Sequence, residues 1–300
     1  MTAVTVFGEV LNTLRQTPHG MLAFSCYDLE TAVGVLSAAE DIGTPVTLLV
    51  SEAAAASARG RYLLTALVAV AGQGTQQAFV QLDHCADLLL MREVLDVGVH
   101  AVMADGSKLP DAENAHFTKA AVTLCRKYGV AVEGELGRIG GDEDRDLGGL
   151  AAQMTDVDAA RRFVDDTGVD CLAVAVGNVH GRYRGEPQLD LERLRELVAA
   201  TEVPVSLHGT SGLPEEQVRL ALAAGVVKLN VNTELRARRF AVLSDEVPRQ
   251  TATLDVLALN AALAAGARLV AYRMLQLGGE GASSAMLPAG EVMGQTSSID

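Results

Sequence analysis

The sequence predicts an α/β protein built as one closed (β/α)8 barrel, a TIM barrel, with a long C-terminal helix. Short apolar runs alternate with longer helical patterns from Met21 to about Leu235, the signature of repeated βαβ units. Eight such runs are found, and eight parallel strands with helical crossovers close into a barrel. A length of 300 residues suits two average domains or one large barrel, and no low-complexity linker or internal repeat marks a boundary. Residues 1–300 are therefore read as a single domain.

In order, the strand candidates are Met21 to Cys26, Pro45 to Val50, Ala78 to His84, Ala101 to Asp105, Ala131 to Leu136, Cys171 to Val176, Pro204 to His208 and Val226 to Asn230. Between them lie helical stretches such as Glu30 to Ala39, Asp111 to Lys127, Asp156 to Asp166 and Leu191 to Ala200. Several are opened by an acidic residue or a proline on the N-terminal side. The segment 138–155 carries Gly140, Gly141, Gly148 and Gly149 among four acidic residues, and is too long and polar for a routine connection, so a lid is expected there. Residues 251–278 are rich in Ala and Leu at helical spacing and are expected to pack on the barrel or on a second subunit. The Gly- and Ser-rich stretch 279–300 is expected to be a flexible tail.

The formal net charge of −14 argues against nucleic acid or an anionic membrane surface as partner, since both attract basic patches. It leaves room for a small anionic substrate, which needs only a local cradle of N–H groups and a metal. Residues 1–17 lack the pattern of a signal peptide, and no apolar run is read as approaching the roughly 20 residues of a membrane span. Cys26, Cys85, Cys125 and Cys171 are scattered without Cys-x-x-Cys spacing, which fits buried thiols in a reducing cytoplasm.

In this fold the working residues sit at the C-terminal ends of strands. His84, His180 and His208 fall at or just beyond the ends of the third, sixth and seventh strands, whereas His19, His100 and His116 fall in helices or connections. Three imidazoles converging at a barrel mouth would leave one position open on a divalent metal, as a catalytic zinc site requires, although each histidine alone is more often structural. Asp83 beside the first histidine is either buried structure or a general acid/base near the metal.

Two loops have the form of phosphate cradles. His208-Gly209-Thr210-Ser211-Gly212 follows strand seven, and Asn230-Val231-Asn232-Thr233 follows strand eight and opens a helix at Glu234. Loops after the last two strands, with bare N–H groups and a helix N-terminus, form the recurrent phosphate site of such barrels. Gly209, Thr210, Ser211, Asn230, Val231, Asn232 and Thr233 are accordingly candidate substrate-binding residues. Gly177-Asn178-Val179-His180-Gly181 either brings backbone to the same ligand or is a tight turn.

These residues resemble the class II fructose-bisphosphate and tagatose-bisphosphate aldolases. The likeness runs from about Ala23 to Arg236 through Leu82-Asp83-His84, Asp105-Gly106-Ser107-Lys108-Leu109-Pro110, Glu133-Gly134-Glu135-Leu136-Gly137, Gly140-Gly141-Asp142-Glu143-Asp144, Gly177 to Gly181, Leu207 to Gly212 and Lys228-Leu229-Asn230-Val231-Asn232-Thr233-Glu234-Leu235. The absence of long insertions is closer to the shorter, tagatose-type subgroup. The resemblance implies one zinc ion per chain on His84, His180 and His208, and leaves open a monovalent cation beside the phosphate. It implies Asp83 as acid/base, and Gly181, Gly209, Ser211, Asn230 and Thr233 around a dihydroxyacetone phosphate half. Glu143 matches a lid carboxylate that exchanges the α-proton of the ketone, and Glu135 an acid standing behind the metal ligands. It also implies a sugar phosphate as small-molecule partner and a homodimer or homotetramer.

Three departures bear on the substrate. Cys85 stands where the family usually has Gly, and is read as filling space rather than as a thiolate ligand. The stretch Phe24-Ser25-Cys26-Tyr27-Asp28 lacks the family's Asn residues and adds a carboxylate that would repel a nearby phosphate. The family's Asp-Pro-Arg-Lys-Tyr stretch is replaced by Thr251-Ala252-Thr253-Leu254-Asp255, so the expectation is a retained dihydroxyacetone phosphate half with an aldehyde other than glyceraldehyde 3-phosphate. Two other readings remain: a Schiff-base aldolase with Lys228 as nucleophile, and a catalytically idle barrel that binds sugar phosphates.

Overall fold

A computed structural model describes residues 6–141, 152–181, 183 and 185–279. Eight parallel strands close in sequence order: β1 (Met21–Ser25), β2 (Val46–Ser51), β3 (Ala78–Cys85), β4 (Ala101–Ala104), β5 (Ala131–Leu136), β6 (Cys171–Val174), β7 (Val205–Leu207) and β8 (Val226–Val231). The seam joins β1 to β8 with Met21 opposite Lys228 and Ala23 opposite Asn230. Strands enclosed by a ring of helices are buried on both faces, and this explains their continuous apolar runs. The predicted barrel is the observed fold. Several expected strands run on into what are loop residues: Asp105, Ala175, Val176 and His208 leave the ladder.

The helices among the described residues are α1 (Val6–Leu14), α2 (Leu29–Ile42), α3 (Glu52–Ala55), α4 (Gly60–Ala71), α5 (Leu88–Leu95), α6 (Asp111–Cys125), α7 (Val157–Thr167), α8 (Leu191–Ala200), α9 (Glu215–Ala223), α10 (Thr233–Thr253) and α11 (Val256–Gly279). Side-chain caps begin several of them: Asp28 accepts from the Thr31 N–H, Asp87 from Leu89, Asp156 from Ala159 and Asp190 from Arg193. α2 and α7 end at Gly43 and Gly168 in the left-handed conformation, where a side chain would be strained.

α1, absent from the sequence expectation, seals the N-terminal end of the barrel. Its Phe7, Val10, Leu11 and Leu14 join Met21, Phe79, Ala101, Ala131, Cys171 and Val227 from the strand starts in one apolar cluster. Phe7 meets Phe79 edge-on at 5.2 Å between centroids. In barrels of this kind ligands bind at the C-terminal ends of the strands, the end opposite α1.

The terminal helix begins later than predicted. Thr251, Ala252 and Thr253 are the end of α10, Leu254 adopts a left-handed turn (φ 55°), and Asp255 caps α11 through the Ala258 N–H. α11 packs along α2 so closely that a Cβ on Gly34 would stand 2.2 Å from the Ala264 carbonyl oxygen. By length and apolarity α11 matches a membrane span, contrary to the expectation from the sequence, with 22% of its most apolar window buried. It also carries Arg268, paired with Asp41, and Arg273, paired with Glu215 at 3.1 Å.

Candidate active site

The C-terminal mouth gathers the three histidines. Their candidate ligand atoms lie within 4.8 Å of one another, with the His84 ring 4.9 Å from that of His180 and 4.8 Å from that of His208. Each arrives from a different element: His84 from β3, His180 from the loop after β6, His208 from the end of β7. The loop of His180 is held by Asn178, whose amide donates to the carbonyls of Val174 and His208.

Asp83 and His84 both face the mouth, which strict strand alternation forbids. The reason is a register irregularity between Leu82 and Cys85, with His84 in the left-handed region at φ 48°. A non-glycine residue there costs about 1–2 kcal/mol, and such strain gathers at functional sites. Cys85, next in line, turns into the core. Burial pushes its thiol up to about 12, and it donates to the Asp87 carbonyl, so it is a space-filling thiol among the candidate roles.

The outer nitrogens of two histidines are committed. His84 Nδ1 lies 2.8 Å from Asp105, whose carboxyl stays well below the usual range despite burial because His84 and Ser107 hydrogen-bond to it. His208 Nε2 lies 2.9 Å from Glu133 Oε1. Burial opposes charge on Glu133, but Lys228 and His208 hold it ionised. A carboxylate only accepts, so both outer nitrogens carry the proton. The inner pair, His84 Nε2 and His208 Nδ1, then face each other at 2.9 Å as lone pairs. Two such lone pairs repel unless a cation, a metal ion or a second proton on His84, lies between them, and carboxylates behind imidazole ligands are the usual outer shell of a metal. The donor set fits a divalent metal.

Charge around His84 is dense. Burial opposes its protonation, yet Asp83, Asp105 and Glu135 raise its pKa well above the ordinary value. Glu135 Oε2 stands 3.6 Å from His84 Nδ1, and burial, reinforced by the Asp105 charge, pushes its carboxyl up to about 8. Asp83 is buried, with the Asn230 amide 3.4 Å from both of its oxygens.

The two expected cradles lie side by side. Gly209 has φ +62°, and a Cβ there would stand 2.3 Å from the Val179 carbonyl oxygen, so the loop after β7 approaches that of His180 with bare backbone. Thr210 donates its hydroxyl to the Asn230 carbonyl at 2.5 Å, and Ser211 accepts from the Asn232 N–H at 3.3 Å. The Val231 side chain is in the core. Asn232 is held by the Tyr27 hydroxyl, and Thr233 begins α10. Gly181, with φ +83°, follows His180. Tyr183 Oη accepts from the Val179 N–H at 3.2 Å and donates to the Gly209 carbonyl at 2.8 Å, strapping these loops together.

The described ends of the expected lid pair through Arg138 and Gln153, and the Gly141 backbone lies against the His180 carbonyl. Glu143 and the rest of 142–151 lie outside the described residues, as does 280–300. Asp28 does not confront the cradle as a free charge: it caps α2 and pairs with Arg239 of α10. Lys228 is poorly suited to Schiff-base chemistry. Although burial opposes its charge, Glu133 keeps the ammonium above its ordinary pKa, the wrong form for a nucleophile.

Sequence reasoning assigned no role to Asp105, Glu133, Gln81, Ser206 or Tyr183. One signal was present. Gln81 and Asp83, Glu133 and Glu135, Ser206 and His208, Lys228 and Asn230 are polar pairs two residues apart, hence on one face of strands otherwise apolar.

A closed barrel with converging imidazoles at one mouth and a glycine-bearing loop after β7 has the layout of the barrel enzymes, whose active sites lie at the C-terminal ends of the strands. The chain belongs to the family described as fructose-bisphosphate aldolase class-II, which matches residues 6–282, and it is an aldolase, a carbon–carbon lyase. It is similar to the 6-phospho-5-dehydro-2-deoxy-D-gluconate aldolase of Bacillus subtilis (strain 168), 33% identical over 229 residues covering 75% of this chain and 78% of that protein. The solved YdjI aldolase of Escherichia coli K12 superposes with a TM-score of 0.82 at 27% identity, over 92% of this chain and 97% of that one. The fructose-bisphosphate aldolase of Campylobacter jejuni shares the fold, with a TM-score of 0.74 at 17% identity over 91% and 93% of the two chains.

Proposed function

We propose that this aldolase reversibly cleaves a ketose phosphate to dihydroxyacetone phosphate and an aldehyde, with one zinc ion per chain on His84 Nε2, His208 Nδ1 and His180. The observation that carries the reading is the inner pair of imidazole nitrogens, each turned inward by a carboxylate on its far side. When bound, zinc would supply Lewis-acid polarisation of the substrate ketone.

The chain's own residues account for the remaining work. Asp83, buried beside the three imidazoles, would hold or release a proton at the substrate oxygen, and the Asn230 amide, 3.4 Å from both of its oxygens, would keep them aimed. Glu143 is assigned the α-proton on the strength of the resemblance. Backbone of Gly181, Gly209, Ser211 and Asn230 to Thr233, with the α10 N-terminus, would hold the phosphate, and Thr210 would brace that loop. Glu135 stands behind His84. A monovalent cation beside the phosphate belongs to the same reading.

The aldehyde half is proposed to lack a phosphate. A keto-acid phosphate of the kind named for the Bacillus subtilis relative has one phosphate and a carboxylate at its other end, which agrees with Thr251 to Asp255 standing in place of the family's Asp-Pro-Arg-Lys-Tyr stretch. A cytoplasmic homodimer or homotetramer completes the proposal. Four buried free thiols suit a reducing compartment, and exposed Leu257, Leu269 and Tyr272 on α11 suit a subunit contact. No nucleic acid or membrane partner is proposed for so acidic a chain.

Elemental analysis of the protein and of His180→Ala, with cleavage assays on fructose and tagatose bisphosphates and 6-phospho-5-dehydro-2-deoxygluconate under EDTA control, tests this. About one zinc per chain, lost in the variant, with EDTA-sensitive cleavage supports it. Zinc with cleavage of a bisphosphate alone would overturn the aldehyde assignment, and absence of metal would overturn the reading as a whole.

A further inference from the structure

Lys228 is fully buried, and its Nζ donates to two acceptors: Glu133 Oε2 at 2.8 Å and Asn230 Oδ1 at 2.7 Å. A buried ammonium costs several kcal/mol unless paired, so its retention inside the barrel needs a reason beyond packing.

The first arm runs through Glu133. Its Oε2 also accepts from the Gln81 amide at 2.7 Å, while Oε1 accepts from Ser206 Oγ and from His208 Nε2 at 2.9 Å. Cation and amide occupy one oxygen, which leaves the other for His208. With its proton on Nε2, His208 presents Nδ1 as a lone pair toward His84.

The second arm sets an amide. Asn230 Oδ1 faces a pure donor, so its Nδ2 must point the other way, toward both Asp83 oxygens at 3.4 Å and His208 Nδ1 at 3.3 Å. A flipped amide would set its NH2 against the ammonium.

We propose that Lys228 is a positioning residue, whose ammonium simultaneously sets the His208 tautomer through Glu133 and the Asn230 amide orientation, and so aims a lone pair at the metal and a donor at Asp83. It contacts neither metal nor substrate. The proposal rests on the zinc reading above and extends it to a residue that reading does not use.

The test is Lys228→Met combined with Glu133→Gln, which removes both buried charges together and spares the fold an unpaired ion. Zinc affinity is measured by competition with a chromophoric chelator, the Co(II) d–d spectrum is recorded, and thermal unfolding is followed in parallel. The expected result is zinc binding weakened on the order of 10–100-fold with an altered cobalt spectrum, the range seen when outer-shell partners of a metal are lost. Lys228→Gln, which keeps a neutral donor, serves if the pair does not fold, and is expected to weaken zinc by about 10-fold, the low end of that range. Val164→Ala in α7, remote from the mouth, is the stability control. Zinc affinity within about twofold of the unaltered protein and a superimposable cobalt spectrum in the Lys228 variants would overturn the proposal, since outer-shell losses exceed that. So would an equal affinity loss in Val164→Ala. Absence of zinc in the unaltered protein would overturn the underlying reading and this proposal with it.

Discussion

His84 Nε2 and His208 Nδ1 stand 2.9 Å apart, each on a ring whose other nitrogen is bound to a carboxylate. The arrangement needs two anions on the far sides of the rings, because only they force both lone pairs inward.

It follows that Asp105→Asn, which keeps the shape but can donate to His84 Nδ1, releases the tautomer. Zinc affinity is expected to fall about 10–100-fold while the fold persists. Chelator competition against the unaltered protein checks this, and an unchanged affinity would show that Asp105 does not orient the ring.

The Tyr183 hydroxyl bridges the Val179 N–H and the Gly209 carbonyl. In Tyr183→Phe two neutral hydrogen bonds, each of about 1 kcal/mol, are lost at the joint between the His180 loop and the loop after β7. KM for a phosphorylated ketose is expected to rise by about 3- to 10-fold, with kcat changed less. Steady-state kinetics decide, and a loss confined to kcat would argue against the strap.

The sequence made the strands legible because burial on both faces writes itself as an apolar run. It also placed the three histidines at the mouth. Strand ends were harder, since Asp105 and His208 continue the direction of the chain after the ladder has stopped. α1 escaped because nine residues at the chain start give little periodicity, and its partners are single residues from six strands. Lys228 was visible only as the nucleophile of a competing reading, and its counterion, Glu133, comes from β5. Register across strands decided that role, and no local pattern contains it.

Gly34 permits the α2–α11 contact, where a Cβ would meet the Ala264 oxygen at 2.2 Å and the Ala267 Cβ at 2.9 Å. Helix propensity favours Ala over Gly by about 1 kcal/mol. Overpacking costs about 1–3 kcal/mol and here strikes backbone, which cannot give way easily. Gly34→Ala is therefore expected to lower the melting temperature despite the better propensity. A higher melting temperature in a thermal scan would mean that the two helices separate cheaply.

Asp190 caps α8 through the Arg193 N–H and pairs with the Arg193 guanidinium, both of which lower its pKa. A carboxyl lowered on folding stabilises above its unfolded pKa and loses that contribution as pH falls through the folded value. Asp190→Ala should cost about 1 kcal/mol near pH 7. Below roughly pH 4 the difference should shrink. Urea midpoints at the two pH values measure it, and a pH-independent difference would assign the effect to packing.

The contacts that finish the barrel join its two ends. Met21 pairs with Lys228 across the seam, α11 lies on α2, and the Gly20 N–H donates to the Gly278 carbonyl. During synthesis the first strand thus leaves the ribosome with one edge unpaired and its covering helix not yet made, and it stays so until almost the whole chain has followed. Contacts between such distant segments form slowly, and an open strand edge invites pairing with another chain. The early segments of this aldolase are consequently the ones that a nascent-chain chaperone would have most reason to shield, and crowded expression would betray the delay first.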